Sequence, residues 1–111
     1  MKNDTTYLQH ILAVIERIES ATAEGKVAFL SSTLHQDAVL RNLHTMTETT
    51  QRLSPGLKDA HPEVNWRALA AFRNVLVHDY LGIDMELVWS VVTTDVPEFK
   101  RQVSGILDEI A

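Results

Sequence analysis

Not one of the 111 residues is a cysteine, which excludes disulfides, thiolate metal sites and cysteine nucleophiles and leaves packing as the source of stability. Long apolar runs are missing as well. No stretch approaches the ~18 residues that a membrane span needs, and the opening Met1-Lys2-Asn3-Asp4-Thr5-Thr6 is polar at once. The expectation is a protein of the cytoplasm with no membrane contact. The four glycines form neither a phosphate-cradling loop nor a Gly-x-Ser-x-Gly elbow, so nucleotide hydrolase and serine esterase chemistry find no support. Period-2 stretches flanked by hairpin turns are absent, as are internal repeats and low-complexity tracts.

What is present is apolar residue at 45% of the chain, enough for one domain spanning residues 1–111 with a packed core. The formal charge is −5, from 15 acidic and 10 basic residues, which argues against broad, sequence-blind affinity for nucleic acid. The balance is uneven. From Asp79 onward, seven acids face only Lys100 and Arg101, whereas between Gln36 and His78 the bases Arg41, Arg52, Lys58, Arg67 and Arg73 face four acids, with His44, His61 and His78 added. An RNA partner would therefore bind the middle of the chain.

Apolar residues at three- and four-residue steps predict helices. Leu8, Ile11, Leu12, Ile15 and Ile18 stripe a first helix over about 5–22, capped by Asn3 or Asp4 and ended by Gly25. Leu40, Leu43, Met46 or Thr47, Thr50 and Leu53 stripe a second, which begins at Ser32 or Gln36 and stops at Ser54-Pro55-Gly56. An irregular linker to Pro62 follows. A third helix, capped by Asn65, carries Trp66, Leu69, Phe72 and Leu76 to near His78, with Gly82 in the loop beyond. Asp84 caps a short fourth, and a capping box of Asp95 and Glu98 around Pro97 starts a fifth. The fold class is all-α, an up-and-down bundle of four to five helices.

The third helix ends in Arg73-Asn74-Val75-Leu76-Val77-His78-Asp79-Tyr80. Five positions on an ideal helix separate Arg73 from His78 by about 140°. Either the helix frays before His78, or the two residues face different walls of a cleft that a second subunit completes. Taken singly, Arg73 suits a salt bridge to Asp79 or Glu48, His78 a surface position at a helix end, and Tyr80 a packed ring with a bonded hydroxyl. Trp66 and Trp89 suit core or interface anchors. His10, His35, His44 and His61 suit surface or loop positions, and no metal or cofactor is expected.

As an ordered set, however, Arg73, Asn74, His78 and Tyr80 match the Arg-x4-His-x-Tyr motif of HepT-like toxins in the HEPN superfamily. The blocks around it match too: Gln36-Asp37-Ala38-Val39-Leu40-Arg41-Asn42-Leu43, then His61-Pro62-Glu63-Val64-Asn65-Trp66-Arg67. Tyr80-Leu81-Gly82-Ile83-Asp84, Val88-Trp89 and Asp95-Val96-Pro97 extend the likeness over roughly three-quarters of the chain. The chain departs from the family pattern at Asn65, where Pro is common, and at Thr47-Glu48-Thr49, where Gly-Glu-Ala is frequent.

The resemblance implies a metal-independent endoribonuclease toxin that works as a homodimer, with Arg73 and His78 catalytic and Asn74 supporting them. Those residue types fit attack of a ribose 2′-hydroxyl on its own phosphate, because His exchanges protons near neutral pH and Arg stays charged against a phosphorane. It further implies an antitoxin partner, a small MNT-type nucleotidyltransferase that attaches AMP to Tyr80. A rival from another class is a non-catalytic helical binding module that pairs with such a nucleotidyltransferase.

Overall fold

The computed structural model describes residues 2–111, and they are helical almost throughout. Four long helices make the bundle: α1 (Lys2–Ala21), α3 (Thr33–Thr50), α5 (Trp66–His78) and α7 (Val96–Ile110), with α2 (Lys26–Leu30), α4 (Pro55–Ala60) and α6 (Met85–Ser90) as short pieces between them. Three contacts fix their directions. Asp4 at the start of α1 meets Ser54 after α3, Tyr80 after α5 meets Asp37 early in α3, and Lys100 early in α7 meets Glu19 late in α1. Neighbouring long helices are therefore antiparallel in the order α5, α3, α1, α7, which is the up-and-down arrangement expected.

The stripes are the core. Leu8, Ile11, Ile15 and Ile18 of α1 are fully buried together with Val14, against Val39, Leu40 and Leu43 of α3 and Val103 and Ile106 of α7. Leu12, expected on the same stripe, is only half-buried at its edge. Thr47 is fully buried where the family favours Gly, and it fits because its hydroxyl donates back to the Leu43 carbonyl at 2.9 Å.

The fourth side of the bundle is open. Between α5 and α7 runs an apolar groove of about 400 Å³, lined by Leu69, Phe72, Leu87, Val91, Val96 and Phe99, among others. Trp66 packs edge-on to Phe99, one of the lining residues, with ring centroids 6.4 Å apart. Trp89 likewise anchors α2, its ring 5.5 Å from that of the buried Phe29. Both tryptophans are core anchors, as expected.

Several expectations need correction. Asp4 does not cap α1: the helix already runs from Lys2, and the buried Asp4 carboxylate instead accepts from the Ser54 backbone N–H and hydroxyl at 2.9 and 2.6 Å. Gly25 ends the first helix's turn with φ +98°, but it also opens α2. The linker before Pro62 contains α4, because Ser54 caps a new helix with Pro55 in its first turn while Leu57 turns inward. Asp95 caps nothing. Its φ and ψ are helical, and a π turn over Val91–Asp95 joins α6 to α7 without a break, so the fourth and fifth helices form one rod. His61 lies in the loop that ends α4, one of the two positions expected for it, but it is buried there, with its Nδ1 3.2 Å from a Glu63 carboxylate oxygen.

Candidate active site

Asn65 caps α5 by accepting from the Ala68 N–H at 3.0 Å, and from there the helix is unbroken through His78. Fraying before His78 is thus ruled out, and Arg73 and His78 leave the helix in different directions. Arg73 turns toward α3. Its Nε donates to Glu48 Oε2 at 2.9 Å and its Nη1 to Asn74 Oδ1 at 3.2 Å, so one end of the guanidinium is held by a carboxylate and a side-chain amide. Asn74 is itself exposed, and it serves Arg73 rather than His78. The His78 ring is exposed on the last turn, with no hydrogen-bond partner among the described residues.

Of the two salt-bridge partners weighed for Arg73, Glu48 is the one used. The hydrogen bond from Arg73 is the largest influence on the Glu48 carboxyl and holds it below the usual carboxylate range, against the opposing effect of desolvation. His44 stands one helical turn before Glu48, with Nε2 at 3.5 Å from the same Oε2. That distance is too long for a good hydrogen bond, so the buried His44 Nε2 has none. No group of three or more metal-ligating side chains exists among the described residues.

Tyr80 does not follow α5 in an extended segment. Asp79 ends the helix with φ −130° and ψ 37°, and Tyr80–Gly82 then forms a single 3-10 turn tied by the Gly82 N–H to the Asp79 carbonyl at 3.1 Å. Successive side chains alternate in an extended segment, which would put His78 and Tyr80 on one side; in this turn that alternation does not apply. The Tyr80 ring, 45% exposed, lies back over α3, where its hydroxyl donates to Asp37 Oδ1 at 3.3 Å. Partial burial first, then the Asp37 charge and hydrogen bond, push the phenol above its ordinary value.

Asp37 is the residue whose part the sequence alone did not reveal. A signal exists: Asp37 and Glu48 are eleven positions apart on α3, within about 20° of one face and roughly 16 Å apart along the axis. Two acids so placed meet the two ends of a motif on an antiparallel neighbour, Glu48 taking Arg73 and Asp37 taking Tyr80.

The chain is similar to known proteins over most of its length. The model of the family described as Ribonuclease HepT-like matches residues 11–106. A probable ribonuclease HepT of Thermococcus cleftensis is 37% identical over 95 residues, covering 85% of this chain and 86% of that protein. A protein of Caldanaerobacter subterraneus with a provisional RNase designation is 29% identical, with 98% of each chain covered. A Methanocaldococcus jannaschii protein, described as a gamma-glutamylcyclotransferase with a provisional RNase assignment, is 33% identical over 110 residues. The present chain spans about half the length of that relative, 50%, with 98% of its own residues aligned. No solved structure matches significantly. With the family's model covering most of the chain and its motif set on an exposed helix end, the chain belongs to the HepT-like ribonuclease family.

Proposed function

We propose that this protein is a metal-independent endoribonuclease, the toxin of a toxin–antitoxin pair, with Arg73 and His78 as its catalytic residues. The observation that carries the reading is Arg73, pinned by Glu48 and Asn74 at one end of its guanidinium while His78 stands exposed five residues on. A positioned cation is suited to stabilising charge on a phosphorane, and an unencumbered imidazole to moving the protons of the 2′-hydroxyl and the leaving 5′-oxygen. The nucleophile belongs to the RNA, so the protein needs to supply no metal-bound water.

The divergent directions of Arg73 and His78 favour a homodimer in which the two copies complete each other's cleft. Tyr80 is the modification site of the same reading, and Asp37 is placed to draw its phenolic proton as the oxygen attacks the α-phosphate of ATP, releasing pyrophosphate. An AMP group there would add bulk and negative charge beside the helix end that RNA must approach.

The experiment is expression of wild type and His78→Ala side by side, with total RNA examined for fragments ending in 2′,3′-cyclic phosphate. Such fragments should appear with wild type, vanish with His78→Ala, and persist in purified reactions containing EDTA. Equal growth arrest by both proteins without RNA cleavage would favour the rival reading, a non-catalytic helical module acting through its nucleotidyltransferase partner.

A further inference from the structure

A second groove lies beside the motif, between α1 and α3, with a volume of about 660 Å³. Its walls carry His10 from α1 and Arg41, His44 and Arg52 from α3 and the turn that extends it, with the half-buried Tyr7 ring at one side. Glu48 is the one acid that lines it, and its charge is already engaged by Arg73 at 2.9 Å. Neither Arg41 nor Arg52 has a carboxylate within 4.0 Å among the described residues, although seven other bases and histidines pair with one. In a chain of net charge −5, two unengaged arginines and two histidines therefore share one trough.

Their spacing gives the trough a direction. Arg41 stands on α3 and Arg52 eleven residues on, in the turn that follows Thr50, roughly 16 Å away at the helical rise, with His44 between them. Glu48 joins this trough to the motif, since it lines the groove and also holds Arg73. Cations strung along one groove, continuous with the candidate cleavage site, suit an extended polyanion better than a compact one.

We propose that the α1–α3 groove is a phosphate track, in which Arg41, His44 and Arg52 hold the backbone of single-stranded RNA beyond the bond to be cleaved. This rests on the ribonuclease reading. Arg41 and Arg52 neutralise successive phosphates, Tyr7 offers a ring edge to a base, and the strand passes over Glu48 toward Arg73. The track recognises charge and single-strandedness, not sequence.

The test joins binding to cleavage. In the full chain carrying His78→Ala, affinity for a fluorescein-labelled single-stranded RNA of about 20 nucleotides is measured from 50 to 200 mM salt, with and without Arg41→Ala/Arg52→Ala. Loss of two phosphate contacts should reduce the log–log salt slope by about 1.4, so a factor of about seven in the salt-dependent loss of affinity disappears. Arg41→Lys/Arg52→Lys should restore the slope, because charge is what is counted.

With His78 intact, the double alanine variant should lose kcat/KM on the long RNA, a loss about sevenfold larger at 50 mM than at 200 mM salt by the same two contacts, and nothing on a dinucleotide too short to enter the groove. Unchanged slope and unchanged cleavage of the long RNA would overturn the track while leaving the ribonuclease reading intact. Equal losses on both substrates would also overturn it, by placing the arginines at the reaction or in the fold. A parent protein that neither binds nor cleaves RNA would bring down the ribonuclease reading itself, and the track with it.

Discussion

Arg73 meets Glu48 across 25 positions of sequence, and that pairing decides what substitutions at the site should do. Arg73→Ala and His78→Ala should each lower RNA cleavage by about 100-fold or more, yet shift the melting temperature by no more than a few degrees, because neither side chain is in the core. Circular dichroism and a fluorogenic cleavage assay check both halves. Glu48 has the opposite balance: its folded carboxyl sits below the ordinary 4.5, so its stabilising effect is complete above that value and is lost as pH falls through the lowered one. Glu48→Gln should therefore lower the melting temperature at pH 7, and the gap from wild type should narrow as pH falls below 4.5; a gap that stays constant would mean the charge is not what matters. For Tyr80 the sign reverses. A phenol raised above 10.0 contributes its stability below that value and loses it only in stronger alkali. Near neutral pH Tyr80 thus remains a protonated donor to Asp37, and incubation with the cognate nucleotidyltransferase and ATP should add AMP at Tyr80, detected by peptide mass spectrometry. Tyr80→Phe should escape, and label found on Tyr7 or a threonine would remove Tyr80 from that role. The motif residues were legible in the sequence through their order; Asp37 was not, since its partner lies 43 positions away and only the antiparallel packing of two helices brings them together.

At the scale of elements, periodicity predicted well wherever one face is continuously buried. Leu12 apart, the stripes of α1 and α3 and the Asn65 and Asp84 caps stand as read, because each is a local pattern tied to one helix. Where two local rules compete, the sequence underdetermines the result. Ser54-Pro55-Gly56 reads equally as a stop or as a cap with Pro at N1, and burial of Leu57 decides for the cap. Asp95-Val96-Pro97-Glu98 reads as a capping box, yet Val92, Val96 and Phe99 all reach the core only if the backbone stays helical through the π turn. A measurable difference follows. Asn65→Ala and Ser54→Ala should each cost about 1 kcal/mol in chemical denaturation, whereas Asp95→Ala should cost nothing detectable. A loss at Asp95 equal to the other two would mean that α7 begins there after all.

For the whole molecule, the motif's two directions and the family resemblance lead to a symmetric homodimer, checked by sedimentation velocity at micromolar concentration. A persistent monomer there would sink the shared cleft. The open side of the bundle has a consequence of its own. α1 buries Leu8, Ile11, Val14, Ile15 and Ile18 completely, while α5, along that open side, buries only Leu76. Local opening follows anchorage, so amide protons of α5 should exchange with deuterium well before those of α1, and at a free energy below that of global unfolding. The helix bearing Arg73 and His78 is then the loosest plank of the barrel, and whatever seats itself against it, RNA or a second copy, should register first as slowed exchange along residues 66–78.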